Sequence, residues 1–175
     1  WIRGTCVTLK EVEIFTDGAC RGNPGPGGYG VVLTFGAHRR ELSAGFARTT
    51  NNRMELLAAI AGLEGLKEPC RVRLCSDSKY LINAMTCGWL KKWKGLGWKR
   101  GPRQRLRNED LWKRLDAVCG QHELHWQWVK GHAGHVENER CDSLAVAAAE
   151  GDDLPSDEGY LNEEQLTGEE PGLFD

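Results

Sequence analysis

Three strand-like segments in succession, followed by two strand–helix units, constrain the fold of this chain more than any other feature. Segments 12–16, 29–35 and 41–47 alternate or cluster apolar residues and are separated by glycine-containing turns. Segments 71–76 and 125–129 are also strand-like, and a helical pattern follows each of them. Short turns join antiparallel strands, whereas helical crossovers join parallel ones. The order therefore predicts an α/β fold with a five-stranded mixed sheet and helices on both faces.

The helices are predicted from apolar spacing and capping residues. Leucine and isoleucine recur at three- and four-residue steps in 52–67, which is typical of a buried helix face. Ser78 is a candidate N-cap for a second helix and Asn108 for a third, and 136–150 is expected to form the last.

Charge divides the chain near residue 150. Residues 151–175 hold nine acids and no Lys or Arg, so the 16 acids and 23 bases of residues 1–150 give that part a net charge of +7. We expect an N-terminal lead at 1–10, one folded domain at 11–150 and an acidic, disordered tail at 151–175. A basic body of this kind indicates a polyanionic partner.

Composition also argues against several classes of protein. The chain has no run of about 20 apolar residues, which predicts no membrane span, and residues 1–10 show no secretory pattern. Seven cysteines form an odd set without a C-x-x-C pair, which disfavours a disulfide framework or a structural zinc site. We therefore expect free thiols in a cytoplasmic protein; separately, we expect the protein to be a monomer.

Four acids fall where strands and helices can bring them together. Asp17 and Asp77 each end a predicted strand, and ligands of open α/β sheets bind beyond the carboxyl ends of strands. Glu55 lies early in the 52–67 helix, and Asp142 shares a helix face with Glu139 three residues before it. Any one of these acids alone is more often a solvated surface residue.

A converging set of carboxylates has a different chemistry. Two unit charges about 4 Å apart repel by roughly 4 kcal/mol at an effective dielectric of about 20, so such a cluster takes up protons or binds cations. Oxygen ligands favour Mg²⁺ or Mn²⁺, and two such ions about 3.5–4 Å apart can activate water for phosphodiester cleavage.

Two motifs invite other interpretations. The glycines of 18–28 could suggest a dinucleotide-binding loop, but that loop needs a following helix and 29–35 is strand-like. His132 and His135 could suggest a metal pair, but they lie in a glycine-bounded loop without a supporting cysteine. A loop histidine is instead suited to moving protons near neutral pH.

Residues 89–107, which we name the basic handle, hold eight Lys or Arg, three Trp and no acid. A solvated basic face is the usual interpretation of such a run. Interleaved tryptophans favour nucleic-acid contact, with cations meeting phosphates and indoles anchoring the segment. The candidate contacts are Trp89, Lys91, Lys92, Trp93, Lys94 and Lys99.

Four blocks of sequence carry a resemblance to a known family. They are IFTDGACRGNPGPGGYG (14–30), TTNNRME (49–55), SDSKY (76–80) and VKGHAGHVENERCD (129–142). In this order and spacing they closely resemble bacterial type 1 ribonuclease H, over about residues 11–150. The resemblance implies the ribonuclease H fold and an endonuclease that cuts the RNA strand of RNA–DNA hybrids, leaving 5′-phosphate and 3′-hydroxyl ends.

The resemblance also implies roles for individual residues. Two Mg²⁺ ions, with Mn²⁺ as a substitute, would be held by Asp17, Glu55, Asp77 and Asp142, with Glu139 nearby. His132 would assist proton transfer or product departure. The hybrid's minor groove would meet Cys20, Asn23 and Asn51, with Asn52 and Asn83 close to it. A DNA phosphate would meet Arg48, Thr50 and Asn108, although Asn52 also fits a simple helix cap.

Rival functions remain open at this point. A resolvase or transposase core shares the carboxylates but lacks the 49–55 block and the handle, and a non-catalytic hybrid-binding module would have lost a carboxylate. The chain could also be one domain of a reverse transcriptase or a larger fusion. The tail could cover the basic handle, remain solvated, or offer Leu173 and Phe174 to a protein partner.

Overall fold

The computed structural model describes residues 8–167 of the chain. In chain order its strands are β1 (Lys10–Cys20), β2 (Gly25–Phe35), β3 (His38–Thr49), β4 (Cys70–Ser76), β5 (Lys99–Gly101), β6 (Gln104–Arg105) and β7 (Glu123–Trp128). Its helices are α1 (Asn51–Glu64), α2 (Lys79–Thr86), α3 (Trp89–Gly95), α4 (Glu109–Cys119), α5 (Val136–Ala149) and α6 (Glu158–Thr167). No helix within residues 8–167 has the length and apolar character needed to cross a bilayer.

The main sheet has the strand order β3-β2-β1-β4-β7. Strands β1, β2 and β3 form an antiparallel meander, while β4 pairs parallel to β1 and β7 pairs parallel to β4. The prediction of a five-stranded mixed sheet is therefore confirmed, including the parallel pairing in its second part.

Helices cover both faces of this sheet because neighbouring residues of a strand point to opposite sides. In β2, Val31 is fully buried on the side of α1, where it lies close to Gly62. On the other side, Gly30 permits α5 to approach so closely that an added Cβ would collide with the carbonyl oxygen of Cys141. Ile14 of β1 and Leu74 of β4 continue the buried layer beneath α1. The core thus fixes both helices that carry predicted acids.

The predicted elements are present, mostly with longer strands than the sequence pattern indicated. Ser78 caps α2, since its Oγ accepts a hydrogen bond from the N–H of Leu81 at 3.2 Å. Asn108 occupies the N-cap position of α4, but its side chain makes no capping hydrogen bond within the described residues. The short helix α3 and the hairpin of β5 and β6, both within the basic handle, were not predicted.

The expectation of a disordered tail at 151–175 is wrong for its described part, because residues 158–167 form α6. The segment is held to the domain: Ala47 N–H donates to the carbonyl of Pro155 at 2.9 Å, and Tyr160 is 5% exposed. A few buried contacts thus order a segment whose composition is typical of disorder. Residues 168–175, including Leu173 and Phe174, and residues 1–7 of the expected N-terminal lead lie outside the described residues.

Candidate active site

The pairing of β1 with β4 sets the position of two aspartates. Thr16 pairs with Ser76 in parallel register, so Asp17 and Asp77 are the next residues at the same edge of the sheet. Asp17 is buried, and its Oδ1 accepts a hydrogen bond from the N–H of Gly18 at 2.9 Å. The two side chains therefore meet beyond the carboxyl end of β4, where the sequence predicted a ligand site.

Helix α1 brings Glu55 to the same edge. The helix begins after Thr50, whose Oγ1 accepts a hydrogen bond from the N–H of Arg53 at 3.3 Å. Gly18 permits the close approach of α1 to β1, because an added Cβ would lie 2.6 Å from the Glu55 nitrogen. The glycine that follows Asp17 is therefore a packing requirement of the acid cluster itself.

The three acids Asp17, Glu55 and Asp77 each place one carboxylate oxygen within 4.8 Å of the others. Asp142 of α5 and His132 line the same cavity, which has a volume of about 400 Å³. The structure thus brings together the four predicted metal-binding carboxylates and the predicted catalytic histidine. His132 is exposed and has a left-handed backbone conformation (φ 55°) in the loop between β7 and α5.

Burial and mutual repulsion make the charged form of this cluster costly. Burial and the charge of Asp77 raise the pKa of Asp17 to about 7. Burial and the charges of Asp17 and Asp77 raise the pKa of Glu55 well above its ordinary value, and burial raises the pKa of Asp77. A bound cation would reverse these effects, because it favours the charged carboxylates.

One carboxylate oxygen of the cluster lacks a hydrogen-bond partner within residues 8–167, and a bound metal ion would provide it with one favourable contact. Glu55 Oε2 is buried and finds no hydrogen-bond partner among residues 8–167. Such an atom is costly unless it is protonated or bound to a cation. The oxygen-only donor set of the four acids suits a hard divalent ion such as Mg²⁺ or Mn²⁺. The residues present therefore fit the expected cofactor.

Glu139 is not brought into this group. Its side chain is exposed, and it is not among the residues that line the cavity. Helical spacing predicted that it would share a face with Asp142, but α5 is oriented so that only Asp142 reaches the cavity. Sequence reasoning also missed four lining residues, which are Gly18, Ser78, Lys79 and Tyr80. The last three belong to the 76–80 block, in which Asp77 was the residue assigned to the site and Ser78 was predicted as a helix cap.

Trp128, at the end of β7, was likewise not predicted. Its ring is 43% exposed, and its Nε1 donates a hydrogen bond to the carbonyl of Asp77 at 3.1 Å. Lys79 Nζ lies 5.2 Å from the centroid of this ring, so the indole also faces a cation. The alternating pattern of β7 was the available signal, since it places Trp126 and Trp128 on the same side of the strand.

The predicted minor-groove residues form one patch beside the cavity. Asn51 lines the cavity, and its N–H donates to Asn23 Oδ1 at 3.0 Å. The thiol of Cys20 donates to the carbonyl of Thr49 at 3.3 Å. Contacts across the chain therefore join Asn23 to Asn51 and hold Cys20 to the end of β3, just before α1.

The two remaining candidates of this group differ in position. Asn52 lines the cavity from the first turn of α1, and the N-cap is Thr50, so the interpretation of Asn52 as a cap is wrong. Asn83 lies in α2, is partly buried, and is not among the cavity-lining residues.

The three residues expected to meet a DNA phosphate all contact other residues of the domain. Thr50 is buried as the cap of α1, and Arg48 forms an ion pair with Glu164 of α6 at 2.9 Å. Asn108 is buried, and its Nδ2 donates to the hydroxyl of Tyr80 at 3.1 Å. The Oδ1 of Asn108, the atom that could cap α4, instead accepts a hydrogen bond from Arg53 Nη1 at 3.4 Å.

The basic handle has anchored and exposed indoles. Trp93 lies 5.2 Å from Trp112, centroid to centroid, and Trp98 also packs against the core. Trp89 is 41% exposed. Lys94 is exposed but pairs with Asp116 at 3.0 Å, whereas the other candidate lysines, Lys91, Lys92 and Lys99, are exposed with no ion pair to residues 8–167. The predicted anchoring is therefore confirmed for Trp93 and Trp98.

A mixed sheet with one carboxylate inside β1 and another just after the parallel strand β4, beside a basic handle, defines an α/β protein suited to bind divalent ions and a polyanion. The family model described as RNase H matches residues 9–150. The chain therefore belongs to the ribonuclease H family.

Individual relatives agree with this assignment. A protein of Desulforamulus reducens named ribonuclease H is 61% identical over 149 residues, which are 85% of this chain and 94% of the relative. Among solved structures, LC9-RNase H1, described as a type 1 RNase H with the type 2 active-site motif, superposes with a TM-score of 0.74 at 35% identity, covering 82% of this chain and 74% of that one. LC11-RNase H1 in complex with an RNA/DNA hybrid has a TM-score of 0.61 at 26% identity, covering 79% and 96%.

Proposed function

We propose that this chain hydrolyses the RNA strand of RNA–DNA hybrids with two divalent metal ions, leaving 5′-phosphate and 3′-hydroxyl ends. The observation that carries the proposal is the convergence of Asp17, Glu55 and Asp77 within 4.8 Å, with Asp142 in the same cavity. The name of the relatives supports the activity, and the hybrid bound by LC11-RNase H1 supports the substrate.

The four carboxylates would hold the ions, and Mg²⁺ bound there supplies an activated water and charge stabilisation for the leaving oxygen. His132 stands at the exposed side of the cavity, on a loop rather than a helix. From that position its imidazole can exchange a proton with solvent and with the departing group. Its contribution is therefore secondary to that of the carboxylates.

We assign discrimination between the RNA and DNA strands of the hybrid to the patch that adjoins the cavity. Asn23, Asn51 and Cys20 carry short polar side chains, which can pair with the 2′-hydroxyl that distinguishes RNA from DNA. The exposed Trp89 and the exposed lysines of the basic handle would contact sugar and phosphate of the other strand. We propose further that the protein acts as a monomer in the cytoplasm, which agrees with the free thiols of the six described cysteines.

One gel experiment tests this function. A labelled RNA–DNA hybrid, double-stranded RNA and single-stranded RNA are each incubated with Mg²⁺ and with EDTA. We expect cleavage of the hybrid alone, only with Mg²⁺, and fragments whose 3′ ends a polymerase can extend. Asp77→Asn is the matched control for a contaminating nuclease. Cleavage of single-stranded RNA at the same rate, or cleavage that persists in EDTA, would rule the proposal out.

A further inference from the structure

The described part of the acidic tail is fastened to the domain by one buried carboxylate. Asp157 accepts hydrogen bonds from Arg53 Nε and from Thr49 Oγ1, each at 2.7 Å, and its Oδ1 accepts the N–H of Tyr160 at 3.2 Å. Asp157 and Tyr160 are each 5% exposed. The beginning of α6 is thus anchored to the domain through Asp157.

Two further acids of α6 occupy positive groups on the domain surface. Both carboxylate oxygens of Glu163 accept the backbone N–H of Asn108, at 3.0 and 3.2 Å. The same side chain lies 3.9 Å from Arg53 Nη1 and experiences the positive charge of Arg107. Glu164 accepts two hydrogen bonds from Arg48, at 2.9 and 3.4 Å.

The donors that Glu163 and Glu164 contact, a backbone N–H and a guanidinium group, are groups that also bind phosphate. Asn108 is the N-cap residue of α4, where backbone N–H groups and the helix dipole favour an anion. Guanidinium groups, such as that of Arg48, bind carboxylate and phosphate through the same paired hydrogen bonds. The carboxylates therefore occupy positions that a phosphate oxygen could take instead.

This region adjoins both the acid cluster and the basic handle. Tyr80 lines the carboxylate cavity, and its hydroxyl accepts the hydrogen bond from Asn108 Nδ2. On the other side a groove of about 1030 Å³ runs between α6 and the handle. Its cationic side chains are those of Arg100, Arg103, Arg105, Arg107 and Lys113. A polyanion bound in this groove would therefore contact α6, since Asn162 and Glu163 line it together with the handle residues.

We propose that α6 is an acidic strap that competes with nucleic-acid phosphates for Arg48 and for the N-terminus of α4. The inference rests on the proposed function, since a hybrid is the polyanion that would displace the strap. Asp157 and Tyr160 stay in place, while Glu163 and Glu164 exchange with phosphate oxygens. The side chains of both glutamates retain about a quarter of their exposure, which leaves them accessible to exchange.

The test compares two variants that remove the same charge from the same segment. Glu163→Gln with Glu164→Gln releases the strap but keeps the Asp157 anchor. Asp152→Asn with Asp153→Asn is the matched control, because these acids form no ion pair with any residue in 8–167. Binding of a labelled RNA–DNA hybrid is measured by fluorescence anisotropy in EDTA, at about 0.05 M and about 0.5 M salt.

At the lower salt concentration we expect the strap variant to bind the hybrid at least about fivefold more tightly than the parent, and the control variant to change less than about twofold. At the higher concentration, where the Debye length is only about 4 Å, the gain should fall below about twofold. Equal affinities of the strap and control variants at low salt would overturn the proposal.

A DNA duplex of the same sequence separates this proposal from the proposed function. It carries comparable phosphate charge, so the strap variant should bind it more tightly than the control variant does, whatever the enzyme cleaves. Failure of the proposed function would appear as absent hybrid cleavage, with the affinity gain retained. Failure of the strap would appear as normal hybrid cleavage by the parent, with no affinity gain on either probe.

Discussion

Asp157 accepts a 2.7 Å hydrogen bond from Nε of Arg53, which lies two residues before Glu55 in α1. The guanidinium group is 1% exposed, and Asp110 binds its other side through two contacts of 2.8 Å. A residue far along the chain thus holds the helix that carries a carboxylate of the acid cluster. Because removal of one partner of a buried ion pair leaves an uncompensated charge, this contact has a measurable consequence for stability.

Replacing Asp157 by Ala should destabilise the fold. We expect the free energy of unfolding to fall by about 3 kcal/mol, since the buried Arg53 would lose its buried partner Asp157 and keep Asp110, whose side chain is 45% exposed. Urea denaturation followed by circular dichroism measures this change. Glu158→Ala, an exposed change one residue later, should cost less than about 0.5 kcal/mol. Equal stability of the two variants would show that the C-terminal segment does not support α1.

Replacing Asp17 or Asp77 by Asn should separate activity from stability. Each change removes a metal-ligand charge, and we expect hybrid cleavage to fall at least about 10²-fold while hybrid binding is retained. In EDTA the Asp17→Asn variant should be more stable than the parent by about 1 kcal/mol, because one of three repelling acids is neutral. Single-turnover cleavage and urea denaturation provide the two measurements. Activity within about threefold of the parent would exclude this site.

Mg²⁺ should stabilise the folded protein through the same cluster. A ligand at 100 times its Kd adds about 2.7 kcal/mol when it binds only the folded state. We expect a rise in Tm when Mg²⁺ replaces EDTA, and a smaller rise for the Asp17→Asn variant. Differential scanning calorimetry measures both. The same rise in both proteins would mean that the ion binds elsewhere.

The sheet was predictable from sequence because it depends on local patterns, whereas the convergence of all four acids was implied by the family resemblance. Alternating apolar residues defined the strands, and the positions of Asp17 and Asp77 after two of them implied a shared edge. The parallel pairing of Thr16 with Ser76 then supplied the proximity that sequence could only suggest. Gly18 was visible in the sequence, but its role depends on the approach of α1, which no local pattern reveals.

The ordered α6 and the exposed Glu139 were not predictable for a related reason. The acidic composition of 151–175 is typical of a solvated tail, yet one carboxylate facing a buried guanidinium orders its described part. The complementary signal was Arg53 itself, a cation in the middle of a buried helix face that requires acidic partners. For Glu139, helical spacing gave a shared face with Asp142 but not the rotation of α5 relative to the cavity.

Replacing His132 by Ala should slow turnover less than either aspartate change. The histidine lies on an exposed loop and can be replaced in part by solvent as a proton carrier, whereas a buried metal ligand cannot. Single-turnover cleavage of a hybrid in Mg²⁺ compares the variants directly. A His132 variant as inactive as Asp77→Asn would assign the imidazole an essential role.

The exposed lysines of the basic handle should determine the salt dependence of hybrid binding. Lys91, Lys92 and Lys99 are open to solvent, whereas Lys94 is paired with Asp116, so we expect the first three to bind most of the phosphates. Changing these three to Gln should weaken hybrid binding and reduce the slope of log affinity against log salt by roughly 0.7–0.9 for each phosphate that is no longer neutralised. Anisotropy titrations over a range of salt concentrations give this slope.

Lys10 and Lys67 provide the control for this experiment. Lys10 begins β1 and so lies at the opposite end of that strand from Asp17, and Lys67 follows α1 on the exposed surface. Changing both to Gln removes positive charge from a surface that is not proposed to bind phosphate. The slope should therefore stay within about 0.3 of the parent value, well below the change expected for a single phosphate. If the handle variant and this control gave the same slope, the reduced affinity would reflect net charge alone, and the handle would not be part of the binding surface.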